Sequence, residues 1–237
     1  MLWSPINIYA GPPILLSLSP LSISMKRNLN FKMLSLNVRG IRSFDKRKGI
    51  FHWLVNEKSD IIFLRETYST LGVENVWKSQ WRGDIFFSHG SEHSKGVMIL
   101  FKEKFDYEIK IQREDEQRRF IIFKSGIQGQ PIVLVNIYAP SKTKDQCTFF
   151  EGIQKELVEL ELDKNCDVII GGDFNVILDA DLDGTGGKPF IKESCKNIED
   201  LCSSFDLIDI YRIRNLGVRR FTWRQENPIV QRRFIFG

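Results

Sequence analysis

A chain of 237 residues that is 42% hydrophobic and 27% charged has an ordinary globular make-up and the length to bury a real core, which argues against a fibrous or wholly disordered protein. Its formal charge of +4 is only mildly basic, so it admits a polyanionic partner without demanding one. The four cysteines, Cys147, Cys166, Cys195 and Cys202, form no Cys-x-x-Cys pair and have no partnered histidines, which argues against zinc. With no Asn-x-Ser/Thr sequon, they point to a reducing, intracellular setting, nuclear or cytoplasmic.

Residues 1–30 differ from the rest. Pro5, Pro12, Pro13 and Pro20 interrupt a Ser- and Leu-rich stretch, and the basic pair Lys26-Arg27 follows the apolar part where a signal peptide would place it first. Ile14–Leu18 is far shorter than the roughly 20 residues that span a bilayer, so no membrane association is expected. We read 1–30 as a disordered or loosely attached extension and 31–237 as one domain, incomplete at its C-terminus.

From Met33 a βα pattern begins. Met33–Val38 is a strand candidate, and Asp45 is placed to cap a helix through Glu57 with Ile50, Trp53 and Leu54 on one face. Ile61–Leu64 is a buried strand. Further strands are expected at Val97–Phe101, Tyr107–Ile111, Arg119–Lys124 and Ile132–Tyr138, the last stopped by Ala139-Pro140. A helix over Lys144–Glu161 carries Phe150, Ile153, Leu157 and Leu160 at helical spacing. Val168-Ile169-Ile170 is a β-branched strand run followed by Gly171 and Gly172, which allow a sharp turn or a close approach. Another helix is expected near Ser194–Ser203, then short strands near Leu207–Tyr211, Phe221–Arg224 and Gln231–Phe236. The C-terminal part is arginine-rich (Arg212, Arg214, Arg219, Arg220, Arg224, Arg232, Arg233), either a phosphate-meeting surface or a solvated basic face.

Asp179-Ala-Asp181-Leu-Asp183-Gly184 resembles half of a calcium loop. The bidentate Glu required at about the twelfth position is replaced by Phe190, so calcium is rejected there. A different pattern carries more weight. Four apolar strands end in polar residues: Asn37, Glu66, Asn136 with Tyr138, and Asp173 with Asn175. Singly each is explained as a turn residue or cap, but a buried strand has little use for a carboxylate at its end without a ligand there.

These motifs stand in a recognisable order: Asn37-Val38-Arg39-Gly40-Ile41-Arg42, Leu64-Arg65-Glu66-Thr67, Ser94-Lys95-Gly96-Val97, Asn136-Ile137-Tyr138-Ala139-Pro140, Gly171-Gly172-Asp173-Phe174-Asn175, Leu207-Ile208-Asp209-Ile210-Tyr211-Arg212 and Phe221-Thr222-Trp223. The set resembles the endonuclease/exonuclease/phosphatase superfamily. Within it, the likeness is to exonuclease III-like apurinic endonuclease domains of LINE-type retrotransposons, which are associated with reverse transcriptase. The resemblance implies a four-layer α/β sandwich, two packed mixed β-sheets flanked by helices, here with the last strand or strands missing. It implies Mg²⁺-dependent phosphodiester hydrolysis on DNA, with Mn²⁺ as an alternative ion. Carried over by position, Glu66 and Asn37 would hold the metal. Asp173 would orient or deprotonate the attacking water, and Asn175 and Tyr138 would contact the phosphate. Asn136, Ser94, Arg212 and Trp223 would bind substrate. Hard oxygen ligands and one or two carboxylates suit Mg²⁺.

The chain departs from the pattern in three places. Arg65 stands where a Gln is usual. Phe234-Ile235 replaces a Leu-Asp whose Asp would orient a catalytic His, and the sequence reaches Gly237 without a terminal Ser-Asp-His. Neither His52, His89 nor His93 fits the missing role. The expectation is therefore a weak or inactive nuclease. The competing readings are a phosphoinositide or sphingomyelin phosphodiesterase and a non-catalytic nucleic-acid-binding remnant.

Overall fold

The computed structural model describes residues 29–162, 166–176, 178, 184–185, 192–215, 217–218, 223–226 and 229–232. The extension over 1–28, the acidic loop at Asp179–Asp183 and the Phe221-Thr222 dipeptide lie outside the described residues.

The first sheet contains β1 (Met33–Asn37), β2 (Ile61–Arg65), β3 (Gly83–Ser88) and β4 (Val97–Lys102) in the order β1-β2-β4-β3. The second contains β5 (Tyr107–Glu114), β6 (Phe120–Ile127), β7 (Gln130–Tyr138) and β8 (Asp167–Asp173) in chain order. Both are mixed: β1 runs parallel to β2 and β7 parallel to β8, while the other pairs are antiparallel. Each parallel pair is joined by a crossover helix, as the geometry of parallel strands requires. These are α1 (Phe44–Asn56) and α3 (Thr143–Glu159). A short α2 (Glu74–Gln80), preceded by a 3₁₀ turn over Leu71–Val73, precedes β3, and α4 (Lys192–Ser204) follows β8. A small three-stranded sheet joins β9 (Gly184–Thr185), β10 (Trp223–Glu226) and β11 (Ile229–Arg232).

The period of 2 along the strands sorts their side chains into separate cores. Ile61 and Phe63 of β2 meet Phe123, Ile132, Leu134 and Ile169 between the two sheets. The alternate residues Ile62 and Leu64 pack outward against Ile50, Phe51 and Leu54 of α1 and Trp77 of α2. On the second sheet, Ile122, Val133, Val135 and Ile137 pack outward on Phe150, Ile153 and Leu157 of α3 and on Cys195, Ile198 and Leu201 of α4. Each sheet is thus covered on both faces, giving the four layers helix, sheet, sheet, helix. That arrangement explains why the central strands read as unbroken apolar runs.

Two glycines allow the sheets to meet where β8 ends. A Cβ on Gly171 would stand 2.9 Å from the Phe63 ring in the opposing sheet, and one on Gly172, at φ +148, would stand 2.1 Å from the Ile137 carbonyl oxygen. Of the two roles expected of this pair, the close approach is present; β8 continues through both glycines to Asp173 without a sharp turn.

Two local expectations are corrected. The strand expected at Leu207–Tyr211 is instead a loop leading into α5 (Ile210–Arg214). Its start is fixed by the Asp209 carboxylate, which accepts the Arg212 N–H at 2.9 Å, so an N-cap outweighs the β-branched residues. Helix α1 begins one residue before Asp45, with Ser43 as its N-cap and Asp45 in its first turn, where its charge favours the helix dipole.

Candidate active site

Parallel pairing brings the chemistry to one edge. In register, Asn37 lies beside Arg65 and Tyr138 beside Asp173, so β1, β2, β7 and β8 all release their chains at the same end of the sandwich. The loops there continue the ladder: Val38 and Gly40 donate to the Arg65 and Glu66 carbonyls at 3.0 and 2.6 Å, and Ala139 donates to that of Asp173 at 2.8 Å. Glu66, Arg39, Tyr68 and Asn175 all have left-handed backbone conformations, with φ between 46° and 58°. Each such non-glycine residue carries a strain of about 1–3 kcal/mol, and strain of this kind concentrates at functional sites.

Glu66 is the hub. Its Oε1 accepts the Asn37 amide at 2.8 Å, and the Tyr68 hydroxyl lies 3.5 Å from Oε2. The Tyr138 phenol also lies within the influence of Glu66. Burial and then the Glu66 charge push the Tyr138 phenol above its ordinary range, so it acts as a neutral donor. Asn37 is itself fixed by the Arg39 N–H, which donates to its Oδ1 at 3.1 Å. Arg119 lies over the Tyr138 ring, 5.5 Å from its centroid, and donates to the Tyr138 carbonyl at 3.2 Å. Lys46 reaches the Arg39 carbonyl at 2.8 Å; burial and Arg39 lower its ammonium while Glu66 supports it.

Asp173 stands opposite, only 6% exposed. Burial raises its carboxyl above the usual range. The Arg65 charge, the Asn175 N–H and the Asn37 side chain oppose that rise, while Glu66 adds to it. The Asn175 N–H donates to Oδ1 at 3.1 Å, and its amide donates to the Ala139 carbonyl at 2.7 Å. Arg65, 3% exposed, donates to the Ser35 hydroxyl; burial lowers its guanidinium to about 10, against the pull of Asp173, Glu66 and Tyr138, so it stays charged at neutral pH.

The structure therefore gathers Glu66, Asn37, Asp173, Asn175 and Tyr138 into one cluster. Asn136 lies beneath it, fully buried, with its amide donating to the Leu64 and Met98 carbonyls of the first sheet at 3.1 and 2.9 Å. Ser94 is in an exposed turn bonded to Ser91 at 2.9 Å. Arg212 bonds Asp209 and Val218 on its own segment. The Trp223 side chain is outside the described residues. Sequence reasoning missed Tyr68, Lys46 and Arg119 as neighbours. The position of Tyr68 two residues after Glu66 was a usable signal; for Arg119, on a distant hairpin, there was none.

His89 bonds Ser69 at 3.1 Å and Glu74 at 2.8 Å and stacks on Phe87; His52 is exposed on α1, and the His93 N–H donates to Ser91. All three are engaged in other local structure or exposed away from the cluster's hydrogen bonds. Among the described residues no three His, Cys, Asp or Glu side chains group to hold a metal ion, so Glu66, with the amide of Asn37 beside it, is the carboxylate that could hold a hard divalent cation here. As oriented, the Asn37 amide nitrogen faces Glu66, so Asn37 positions that carboxylate, and its oxygen would meet an ion only after the amide turns.

A model of the Endonuclease/Exonuclease/phosphatase family matches residues 34–190. The chain belongs to that family. Among curated proteins, the Transposon TX1 uncharacterized 149 kDa protein of Xenopus laevis is 30% identical over 189 residues, 80% of this chain. This family member spans only 14% of that relative's length. Among solved structures, an AP endonuclease from Archaeoglobus fulgidus superimposes with a TM-score of 0.67 at 21% identity, covering 87% of this chain and 85% of its own, which shows a shared fold. No helix among the described residues is long and apolar enough to cross a membrane.

Proposed function

We propose that this chain is the endonuclease-like domain of a retroelement, cleaving phosphodiester bonds in DNA with Mg²⁺ or Mn²⁺ held at Glu66. The observation that carries the reading is the Glu66 carboxylate, oriented by Asn37 and Tyr68 at the common end of both sheets, with Tyr138 and Asp173 in the same cluster. The similarity to a transposon protein supports the retroelement origin, and the basic groups Arg39 and Lys46 beside the cluster suit a phosphate backbone.

A bound divalent cation would offset charge on the scissile phosphate. Asp173 takes the proton of the attacking water, a role that its raised carboxyl suits and its bond from the Asn175 N–H orients. Tyr138 and the remaining amide proton of Asn175 donate to the phosphate oxygens. Asn136 holds the strands that carry these groups in line across the two sheets.

The test is nicking of supercoiled plasmid by the full chain in Mg²⁺, with abasic duplex, a phosphoinositide and sphingomyelin as parallel substrates. Nicking that falls at least about 10²-fold in Glu66→Ala and stops on chelation is the expected result. Undiminished nicking by Glu66→Ala, or turnover of the lipids alone, overturns the reading.

A further inference from the structure

The chemistry above leaves unused a cation buried within the cluster, Arg65. Arg65 ends β2 on the same face as Ile61 and Phe63, so its guanidinium enters the layer between the sheets while the next residue, Glu66, turns outward. It is 3% exposed and hydrogen-bonded to Ser35, whose neighbours Met33 and Asn37 share its face of β1. From across the interface, β8 brings Asp173, in register with Tyr138. The site is thus built over a buried, anchored positive charge, with Asp173 opposite and Glu66 beside it. Among the influences on Asp173, the Arg65 charge is the largest that offsets burial.

We propose that Arg65 is a built-in counter-cation of this carboxylate pocket, a positioning residue that holds Glu66 and Asp173 in place without an ion and weakens the pocket's attraction for divalent metal. The proposal rests on the reading that Glu66 binds such a metal. With Arg65 beneath them, one positive charge offsets part of the negative charge that the two carboxylates present to an incoming ion. In a partly buried setting one unit charge a few ångströms away alters the affinity for a divalent ion by an order of magnitude or more. The same charge prevents the two carboxylates from repelling each other apart when no ion is bound, so the donor geometry is in place beforehand.

The experiment is calorimetric titration of Mn²⁺ into the full chain as wild type, Arg65→Gln, Arg65→Lys and Arg65→Gln/Glu66→Gln, with melting curves of each in EDTA and in Mn²⁺. Arg65→Gln is expected to bind Mn²⁺ about 10-fold or more tightly than wild type. It should also melt lower in EDTA and gain more from added Mn²⁺. Arg65→Lys keeps the charge and should stay within about 3-fold of wild type. A merely structural arginine would lower melting temperature without tightening Mn²⁺ binding.

Should Arg65→Gln fail to fold, Ser35→Asp provides the same test, because it leaves Arg65 in place and neutralises it; it too should tighten binding. Equal or weaker Mn²⁺ affinity in whichever of the two folds overturns the counter-cation. If binding in wild type and Arg65→Gln is equal and vanishes in the double variant, the metal reading stands and only this inference fails. Mn²⁺ binding by neither protein overturns both.

Discussion

The Asn37 amide donates to the Glu66 carboxylate across 2.8 Å, and its oxygen accepts the Arg39 N–H at 3.1 Å, so one side chain links the end of β1 to the residue leaving β2. Removing it leaves Glu66 with the Tyr68 hydroxyl and withdraws the support for Arg39 at φ 46. Asn37→Ala should weaken Mn²⁺ binding by about 10–100-fold, the range for groups that orient a ligand. It should lower stability by only about 1 kcal/mol. Calorimetry and urea unfolding measure the two effects, and metal affinity equal to wild type would show that Asn37 does not orient the ligand.

The cluster was legible in the sequence because the parallel strands of the sandwich carry apolar runs nearly to their ends. A carboxylate or amide close behind such a run therefore stands out, as Glu66 does two residues past Leu64 and Asp173 three residues past Ile170. What the sequence concealed was depth. Asn136 and Tyr138 are two residues apart on one strand, yet Asn136 is fully buried between the sheets and Tyr138 lies within the influence of Glu66. Arg65 reads as a cation beside a cation site, whereas the period of 2 carries its side chain under that site to Ser35. Strand β3 escaped notice because its apolar run is only Ile85-Phe86-Phe87 behind Gly83-Asp84, and helix α2 because its seven residues bury only Trp77. At α5, an Asp209 cap outweighed strand-favouring Ile208 and Ile210.

Glu74 supplies a pH test of the loop that follows Glu66. It bonds Lys78 at 2.7 Å and His89 at 2.8 Å, and His89 in turn bonds Ser69. The Lys78 bond is the largest influence and, with His89, brings the Glu74 carboxyl below its usual value despite burial. A carboxyl lowered by folding stabilises the native state above its unfolded pKa of about 4.3, and that contribution is lost as pH falls through the lower folded value. Glu74→Gln should therefore cost about 0.5–1 kcal/mol at pH 7. The difference from wild type should close in acid. A difference independent of pH in chemical unfolding would refute the linkage.

Gly171 tests whether the two sheets must touch beneath the cluster. Its added Cβ would lie 2.9 Å from the Phe63 ring, and Phe63 is 1% exposed, with no room to withdraw. Gly171→Ala should cost about 1–3 kcal/mol through overpacking. Because Asp173 is two residues further along the strand, nicking should fall as well. Adding Phe63→Leu should recover part of the stability, a coupling that only neighbouring sites show. Strict additivity of the two changes in denaturant unfolding would count against the contact.

Asn136 separates a substrate contact from a sheet-joining one. Its amide donates to two carbonyls of the other sheet, Leu64 at 3.1 Å and Met98 at 2.9 Å, and no part of the residue is exposed. Leu64 immediately precedes Arg65 and Glu66, so these bonds set the height of the metal-side strand against β7, which carries Tyr138. Asn136→Ala removes both donors and opens a small buried gap. The expected cost is about 2–4 kcal/mol, a sum of lost hydrogen bonding and packing. Activity should fall through kcat, as the facing groups lose alignment, while KM for DNA stays within about 3-fold if a side chain this deeply buried only joins the sheets. A variant of near wild-type stability whose defect lies in KM would reverse that assignment and make Asn136 a direct contact.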